Sequence, residues 1–307
     1  MTLFLKYLLA HGLKARSSFC LQSWLLSLLV CCPFVANATD VDMGEYEALP
    51  AGTEAFLVYY KGSQTDSLYA DGDKVLDGAR VRVDATVLRY VRYQMVGDYL
   101  VAAPQFILPY GKYEGSKNMA QLGDTRGVGD LLVPVPVFIV NDPEKRRTLV
   151  VNPILQVPIG SYDNDRSLNL GENRWKFELQ IGGTTAIAKK WNLEFVTGVE
   201  FFEDNTDYSP ASVTLEQKPR YKQQLYLNYY ASPTLRFALG ANNVSGGETN
   251  IDGIDKDNAF SSTRFIINGA TNITPKDQLL VSLSRDISVR NGLREEGRLI
   301  LRWLHIF

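Results

Sequence analysis

Beyond residue 53 the chain alternates apolar and polar positions with period two, in blocks of about ten residues. Trp175 to Ile181 reads Trp-Lys-Phe-Glu-Leu-Gln-Ile, with Lys176, Glu178 and Gln180 on one phase and apolar residues on the other. Trp191 to Phe201 repeats the pattern, with Asn192, Glu194 and Glu200 on the polar phase, and only Lys189 and Lys190 separate the two blocks. No stretch of useful length carries apolar residues at helical spacing. The periodicity predicts strands near 54–62, 79–96, 99–109, 128–140, 148–159, 173–188, 191–203, 220–231, 235–245, 262–273, 278–289 and 295–307.

The connections between these strands alternate in length. Those after even-numbered strands are short: Gly97-Asp98, Asp142 to Arg147, Lys189-Lys190, Ser232 to Thr234 and Thr274 to Asp277. Most of the others are long and polar: Tyr110 to Gly127, Ser161 to Glu172, Asp204 to Pro219 and Gly246 to Ser261, with Asn291 to Arg294 the short exception. Short turns on one rim and longer loops on the other are how outer-membrane barrels are built, the short rim facing the periplasm. Closure also removes the edges that so many strands would otherwise expose. The expected fold is all-β: a transmembrane antiparallel up-and-down β-barrel of about 12 strands over 54–307. A soluble sandwich or lipocalin-like barrel is the alternative, and it gives no reason for the loop asymmetry.

The front of the chain changes the chemistry that is available. Lys6, Lys14 and Arg16 precede an apolar run from Trp24 to Ala36, which ends in Ala36-Asn37-Ala38. This order of features predicts a cleaved signal peptide over 1–38. The run is shorter than the ~20 apolar residues a spanning helix needs. Residues 39–53 then form an N-terminal segment that either plugs the barrel or hangs in the periplasm. The whole chain has three Cys and two His, and Cys20, Cys31, Cys32 and His11 all leave with residues 1–38. What remains has His305 and no Cys, so disulfides, thiolate nucleophiles and Cys/His zinc sites are excluded. Neither a metal nor a cofactor is expected. A formal charge of −2 for the full chain speaks against a nucleic-acid binder.

The last predicted strand alternates Leu299, Leu301, Trp303, His305 and Phe307. Apolar and aromatic residues at every second position up to Phe307 resemble the signal read by the barrel-assembly machinery, so Trp303 and Phe307 are its candidates. Trp175, Trp191 and Trp303 fall near strand ends, where aromatic belts meet the headgroups.

Polar positions on the expected inner phase are candidates for the pore lining: Arg80, Arg82, Asp84, Asn152, Gln156, Lys176, Glu178, Glu194, Glu200, Gln224, Asn228, Arg236, Arg264, Arg298 and Arg302. Arg89 falls on the opposite phase, which aims it outward if its strand is regular, so a bulge or an extramembrane position is expected there. Twelve strands at ~4.8 Å spacing and ~40° tilt give a backbone diameter of roughly 24 Å, narrower than a general porin. Pro104, Pro109, Pro134, Pro136, Pro153 and Pro158 all lie in or beside the third to fifth strands. Proline cannot donate to a ladder. These prolines mark either a place where an apolar solute leaves sideways into the membrane or a set of kinks that shape the wall.

Several stretches carry a family resemblance. They are Glu45 to Thr53 (Glu-Tyr-Glu-Ala-Leu-Pro-Ala-Gly-Thr), the pair Tyr59-Tyr60, Gly127-Val-Gly-Asp-Leu131, Val157-Pro-Ile-Gly160 with Tyr162-Asp163, and Asn169 to Trp175 (Asn-Leu-Gly-Glu-Asn-Arg-Trp). Together they resemble the MetA-pathway phenol degradation family of outer-membrane transporters. The resemblance implies a barrel in a Gram-negative outer membrane linked to uptake of hydrophobic or aromatic compounds, and it supplies no catalytic residues.

The reading that follows is a passive, selective outer-membrane channel for small apolar or aromatic solutes. Its partners would be outer-membrane lipid, lipopolysaccharide and the assembly machinery. A structural or adhesive barrel is the second reading. A barrel enzyme is the third, and it fails for want of a nucleophile and oxyanion site beside His305. The acidic loop stretches Asp163 to Asp165 and Asp252 to Asp257 lack the spacing of a calcium loop and read as solvated.

Overall fold

The computed structural model describes residues 40–307; the expected signal segment lies outside the described residues. Twelve wall positions follow in chain order. They are β1 (Glu54–Ala70), β2 (Ala79–Val96), β3 (Tyr99–Lys117), β4 in three pieces (Asp124–Val128, Leu131–Pro134 and Val137–Asp142), β5 (Arg147–Val157) and β6 (Lys176–Ala188). β7 (Trp191–Phe202), β8 (Arg220–Tyr230), β9 (Leu235–Gly246), β10 (Phe260–Asn272), β11 (Asp277–Val289) and β12 (Gly292–Ile306) complete the wall. Each position pairs antiparallel with the next. The sheet closes where β12 pairs with β1, from Ala55 opposite Ile306 to Tyr69 opposite Gly292.

Burial inverts the rule for soluble proteins. On β6, Lys176, Glu178 and Gln180 are buried while Phe177 and Ile181 are exposed. On β7, Asn192, Glu194 and Glu200 are buried while Phe195 and Phe201 are exposed. The same holds on β8, β10 and β12, where Arg220, Lys222, Asn268 and Arg302 are inside and Leu225, Phe265, Ile267 and Leu301 are outside. Apolar side chains around the outer surface and polar ones within are stable only when lipid, not water, wets the outside. Trp191, its ring tilted 43° to that of Tyr229 with centroids 4.8 Å apart, and Trp303 lie outward at the short-turn rim. Trp175 lies outward at the opposite rim.

The long loops form structure of their own. Asn205–Tyr208, Val213–Gln217, Thr249–Ile251 and Ile254–Asp255 make a small four-stranded sheet that joins two loops. A third loop is tied to it where the Tyr162 hydroxyl donates to the Asp207 carbonyl at 2.9 Å and Asn205 Nδ2 donates to the Tyr162 hydroxyl at 3.1 Å.

Candidate functional site: the filled lumen and its wall

Residues 40–49 lie inside the barrel and bond to its wall throughout. Gln224 Nε2 and the Tyr226 hydroxyl donate to the Val41 carbonyl, at 2.7 and 3.0 Å. The Gly44 N–H donates to Glu194 at 2.8 Å. Tyr46 is fully buried, its hydroxyl donating to Gln180 at 2.6 Å, and its carbonyl accepts from Thr148 at 2.7 Å. Met43 packs among Tyr226, Ala238, Ile266, Ala270 and Leu280. Two glycines make this fit possible. Gly44 has φ +73°, and a Cβ there would stand 2.3 Å from the Arg236 guanidinium. Gly182 on β6 leaves room for the Tyr46 ring, which a Cβ would meet at 2.5 Å.

The acids of this segment each meet wall arginines. Asp40 pairs with Arg264 at 3.2 Å and Arg298 at 3.1 Å, Asp42 with Arg302 at 3.1 Å and Glu47 with Arg236 at 2.7 Å. Glu45 pairs with Arg89. Burial alone would raise the Asp40 and Glu45 carboxyls. Arg264 and Arg298 at the first, and Arg89 at the second, outweigh it and hold both below the usual carboxylate range.

Toward the extracellular rim the wall from β6 to β8 carries a charge cluster. Lys222 pairs with Glu200 at 2.7 Å and Glu178 at 3.3 Å, and Arg220 pairs with Glu200. Glu172, from the loop after β5, takes Arg174 at 3.0 Å and also Lys176. Its burial is opposed and outweighed by Lys176 and Arg174, which pull its carboxyl down to about 2. Phe202 lies under this cluster, with Arg174 4.7 Å and Arg220 5.3 Å from its ring. On β10 to β12, Arg264 pairs with Asp286 at 3.0 Å and Glu295 at 3.0 Å.

The inner face from β1 to β5 differs in kind. Leu57, Tyr59, Val87, Val91, Tyr93, Leu100, Phe138 and Val150 form one apolar cluster, against which Val41 and Tyr46 of the segment pack. Along this side the wall is also interrupted. β2 and β3 pair along nearly their whole length, whereas β3 and β4 pair over Tyr110 to Glu114, then at Ile107 opposite Leu132, then at Leu100 and Val101. Between these points the contacts are single bonds, from the Gly129 N–H to the Pro109 carbonyl at 2.8 Å and from the Ala102 N–H to the Pro136 carbonyl at 2.9 Å. The Val135 N–H turns away from β3 and donates to the Pro153 carbonyl at 2.9 Å and to Asn152 at 3.1 Å. A cavity of about 50 Å³ sits behind this seam, lined on the wall by Tyr59, Val87, Ile107, Leu132, Pro134 and Ile154 and, beside them, by Lys61, Arg89, Gln105 and acids of the segment.

The structure places the residues singled out in the sequence as follows. Lys176, Glu178, Glu194, Glu200, Arg264, Arg298 and Arg302 are buried inside the barrel, with Asn152, Gln156, Gln224 and Asn228 beside them. Arg236 also turns inward, onto Glu47. Arg80, Arg82 and Asp84 do not line the lumen. On β2 the buried residues are Ala79, Val81, Ala85, Val87, Arg89, Val91 and Tyr93, so the even positions face out. Arg80 pairs there with Asp66 at 2.9 Å and Arg82 with Asp84 at 2.6 Å. This part of β2 reaches above the apolar band, where the outer surface meets water and headgroups, so polar residues can take the outer phase. Arg89, whose expected phase aims it outward, is for the same reason an inner residue. Of the prolines, Pro104, Pro109, Pro134 and Pro136 border the seam. Pro153 is paired with Leu179 in β5, and Pro158 follows that strand. His305 stands 2.8 Å from Asp277, between the rings of Trp303 and Phe307. Among the described residues no group of three or more His, Cys, Asp or Glu side chains is arranged to hold a metal ion.

The strand phases left several lumen residues unread. Arg220 and Lys222 share the phase of Gln224 and could have been found from it. Asp286 shares the phase of Leu280 and Ser282 and could have been found likewise, whereas Glu295 could not, because a register shift at Thr65 changes the phase locally.

An inside-out barrel with short turns on one rim and a filled, charged lumen is an outer-membrane β-barrel channel. Residues 65–303 match the family described as the MetA-pathway of phenol degradation. The chain is similar to the COG4313 outer membrane channel of Pseudomonas putida F1 at 37% identity and a TM-score of 0.84, over 87% of this chain and all of that one. The chain therefore belongs to this family, and its place is the outer membrane of a Gram-negative bacterium. The β domain of the Bordetella autotransporter BrkA shares the fold alone, at 11% identity and a TM-score of 0.51, over 84% of this chain and 100% of that one. A comparison with curated sequences gives no match.

Proposed function

We propose that the channel passes small apolar or aromatic solutes passively, and that they leave through the seam between β3 and β4 into the membrane. One observation carries this reading: the larger apolar cluster among the described lumen residues backs onto the interrupted part of the wall. The outer surface of the seam suits the same traffic, with Phe106, Leu108, Leu131 and Val133 on the outward phase. Charged groups that border the cavity pair with one another, Arg89 with Glu45 among them, so an apolar solute moving into lipid loses little there, whereas an ion or sugar would lose its hydration. The family's description, which names phenol degradation, agrees with an aromatic solute. The arrangement is a conduit, not a catalyst.

Two partners follow from the same reading. Trp303 and Phe307, exposed at the periplasmic rim, support recognition by the barrel-assembly machinery. Outward-facing Arg82, Lys112 and Arg285 at the extracellular level support contact with lipopolysaccharide.

The test is Pro134→Val with Pro136→Val. Each restored N–H can add a bond worth ~0.5–1.5 kcal/mol to the weakest part of the wall. Uptake of an apolar aromatic into proteoliposomes should slow while small-ion conductance stays unchanged. Unaltered apolar uptake in a correctly folded variant would point to a route along the lumen into the periplasm.

A further inference from the structure

We propose that the periplasmic vestibule of the lumen is a binding site for small apolar carboxylates, and that Glu45 and Glu47 occupy its cationic half as a tethered surrogate when no such solute is present. Its cavity is distinct from the one behind the seam, which it meets at Glu45 and Arg89, and it stands whether or not solutes leave sideways.

The vestibule is a cavity of about 300 Å³ bounded by the turns after β8 and β10. That volume is at the lower end of what small-molecule sites enclose. Arg89 from β2, Arg236 from β9 and Arg302 from β12 all line it. Their side chains are 9%, 13% and 4% exposed. Among the described residues, the carboxylates ion-paired to these three arginines are Glu45, Glu47 and Asp42, all on the N-terminal segment. Among the described residues no wall acid is ion-paired to them, although Glu194 acts on Arg236 from further off. Toward the extracellular end the opposite holds: Arg220 is matched by Glu200, and Arg264 by Asp286 and Glu295, all on the wall or the short turn of chain beside it.

A buried guanidinium without a counter-charge is strongly unfavourable. The vestibule wall is therefore complete only when an anion is present, and the anion it has is borne on a segment outside the strand ladder. Side-chain bonds and packing hold that segment, so a solute able to make the same bonds can exchange with its acids. The guanidinium fork fits a planar carboxylate. Leu57, Val91, Tyr93 and Leu304 line the rest of the vestibule and suit an apolar body attached to that carboxylate. A ring bearing one carboxylate satisfies both halves, whereas acetate satisfies only the cationic half and benzamide only the apolar one.

The experiment is equilibrium binding of radiolabelled benzoate to the full-length protein in detergent, with acetate and benzamide as competitors. Benzoate should bind saturably, and each competitor should be at least about tenfold weaker, the equivalent of ~1.4 kcal/mol. The decisive variant is Glu45→Gln with Glu47→Gln. It lies on the segment, outside the ladder, so barrel closure does not depend on it. Removing the surrogate charges should tighten benzoate binding several-fold, and Arg236→Gln with Arg302→Gln should weaken it. Benzoate affinity that stays the same or falls in the glutamine pair would overturn the proposal, as would benzamide or acetate competing as well as benzoate. Binding should persist when the seam is locked shut, which separates this site from the lateral route.

Discussion

From β1 to β5 the inner surface carries the apolar cluster of Leu57, Tyr59, Val87, Val91, Tyr93, Phe138 and Val150 with Arg89 and Gln105 beside it, and from β6 to β12 it carries Lys176, Glu178, Glu194, Glu200, Arg220, Arg264 and Arg302. The ladder is continuous from β6 round to β1, from Trp191 opposite Ala188 through to Ala55 opposite Ile306. It breaks between β3 and β4, on the apolar side. This coincidence has a physical reason. A gap in a membrane barrel puts inner side chains in contact with lipid, and buried charges there would cost several kcal/mol each. Behind the apolar cluster the same gap exposes chiefly what lipid already tolerates, with Arg89 and Gln105, bonded to each other at 3.0 Å, the polar pair beside it. A wall can therefore open at lower cost on the side of this cluster than on the other.

The largest test of that division removes residues 40–49. The lumen then loses the acids that neutralise Arg89, Arg236 and Arg302 and the side chains that fill its bore. Ion conductance in planar bilayers should rise several-fold. Uptake of an apolar aromatic should persist, because the seam is part of the wall. An unchanged conductance would mean that the segment does not obstruct the polar side.

A smaller effect is expected from Glu200→Gln. Glu200 is buried between Arg220 and Lys222, and losing one partner of a buried ion pair typically costs ~3–5 kcal/mol. The folded band on heat-modifiable gels should disappear at a lower temperature. If the variant melts like the parent, the charges on this side are solvated rather than paired, and the contrast between the two halves weakens.

How far the sequence revealed these two sides depended on where lipid sets the outer phase. Lys176, Glu178, Glu194 and Glu200 could be read as inner residues because Phe177, Ile181, Phe195 and Phe201 must face acyl chains. Arg80, Arg82 and Asp84 could not, because their stretch of β2 rises above the apolar band and polarity there no longer reports direction. Arg89 was misread as a consequence. The proline cluster pointed to the right part of the wall, but only the registers of β3 and β4 show that Pro104, Pro109, Pro134 and Pro136 border the gap while Pro153 does not. The segment before β1 has no periodicity to read. Its acids, Asp40, Asp42, Glu45 and Glu47, are legible as the match for wall arginines only once both are seen in the lumen.

The smallest effect is expected from Arg82→Gln. Arg82 lies outside, 61% exposed, paired with Asp84. An exposed pair is worth ~0.2–1 kcal/mol. Conductance, ion selectivity and apolar uptake should all match the parent protein. A change in selectivity would place Arg82 inside the lumen and reverse the phase of β2.

The central claim, that the β3–β4 seam is the way out for apolar solutes, is most directly tested by closing it reversibly. Ile107 and Leu132 are register partners in the ladder, so Ile107→Cys with Leu132→Cys places two thiols at a separation a disulfide can span. Residues 40–307 contain no other Cys. Uptake of a neutral aromatic into proteoliposomes should be slow in the oxidised protein and return to the parent rate on reduction, with ion conductance the same in both states. Equal uptake before and after reduction, with the disulfide verified, would contradict lateral exit.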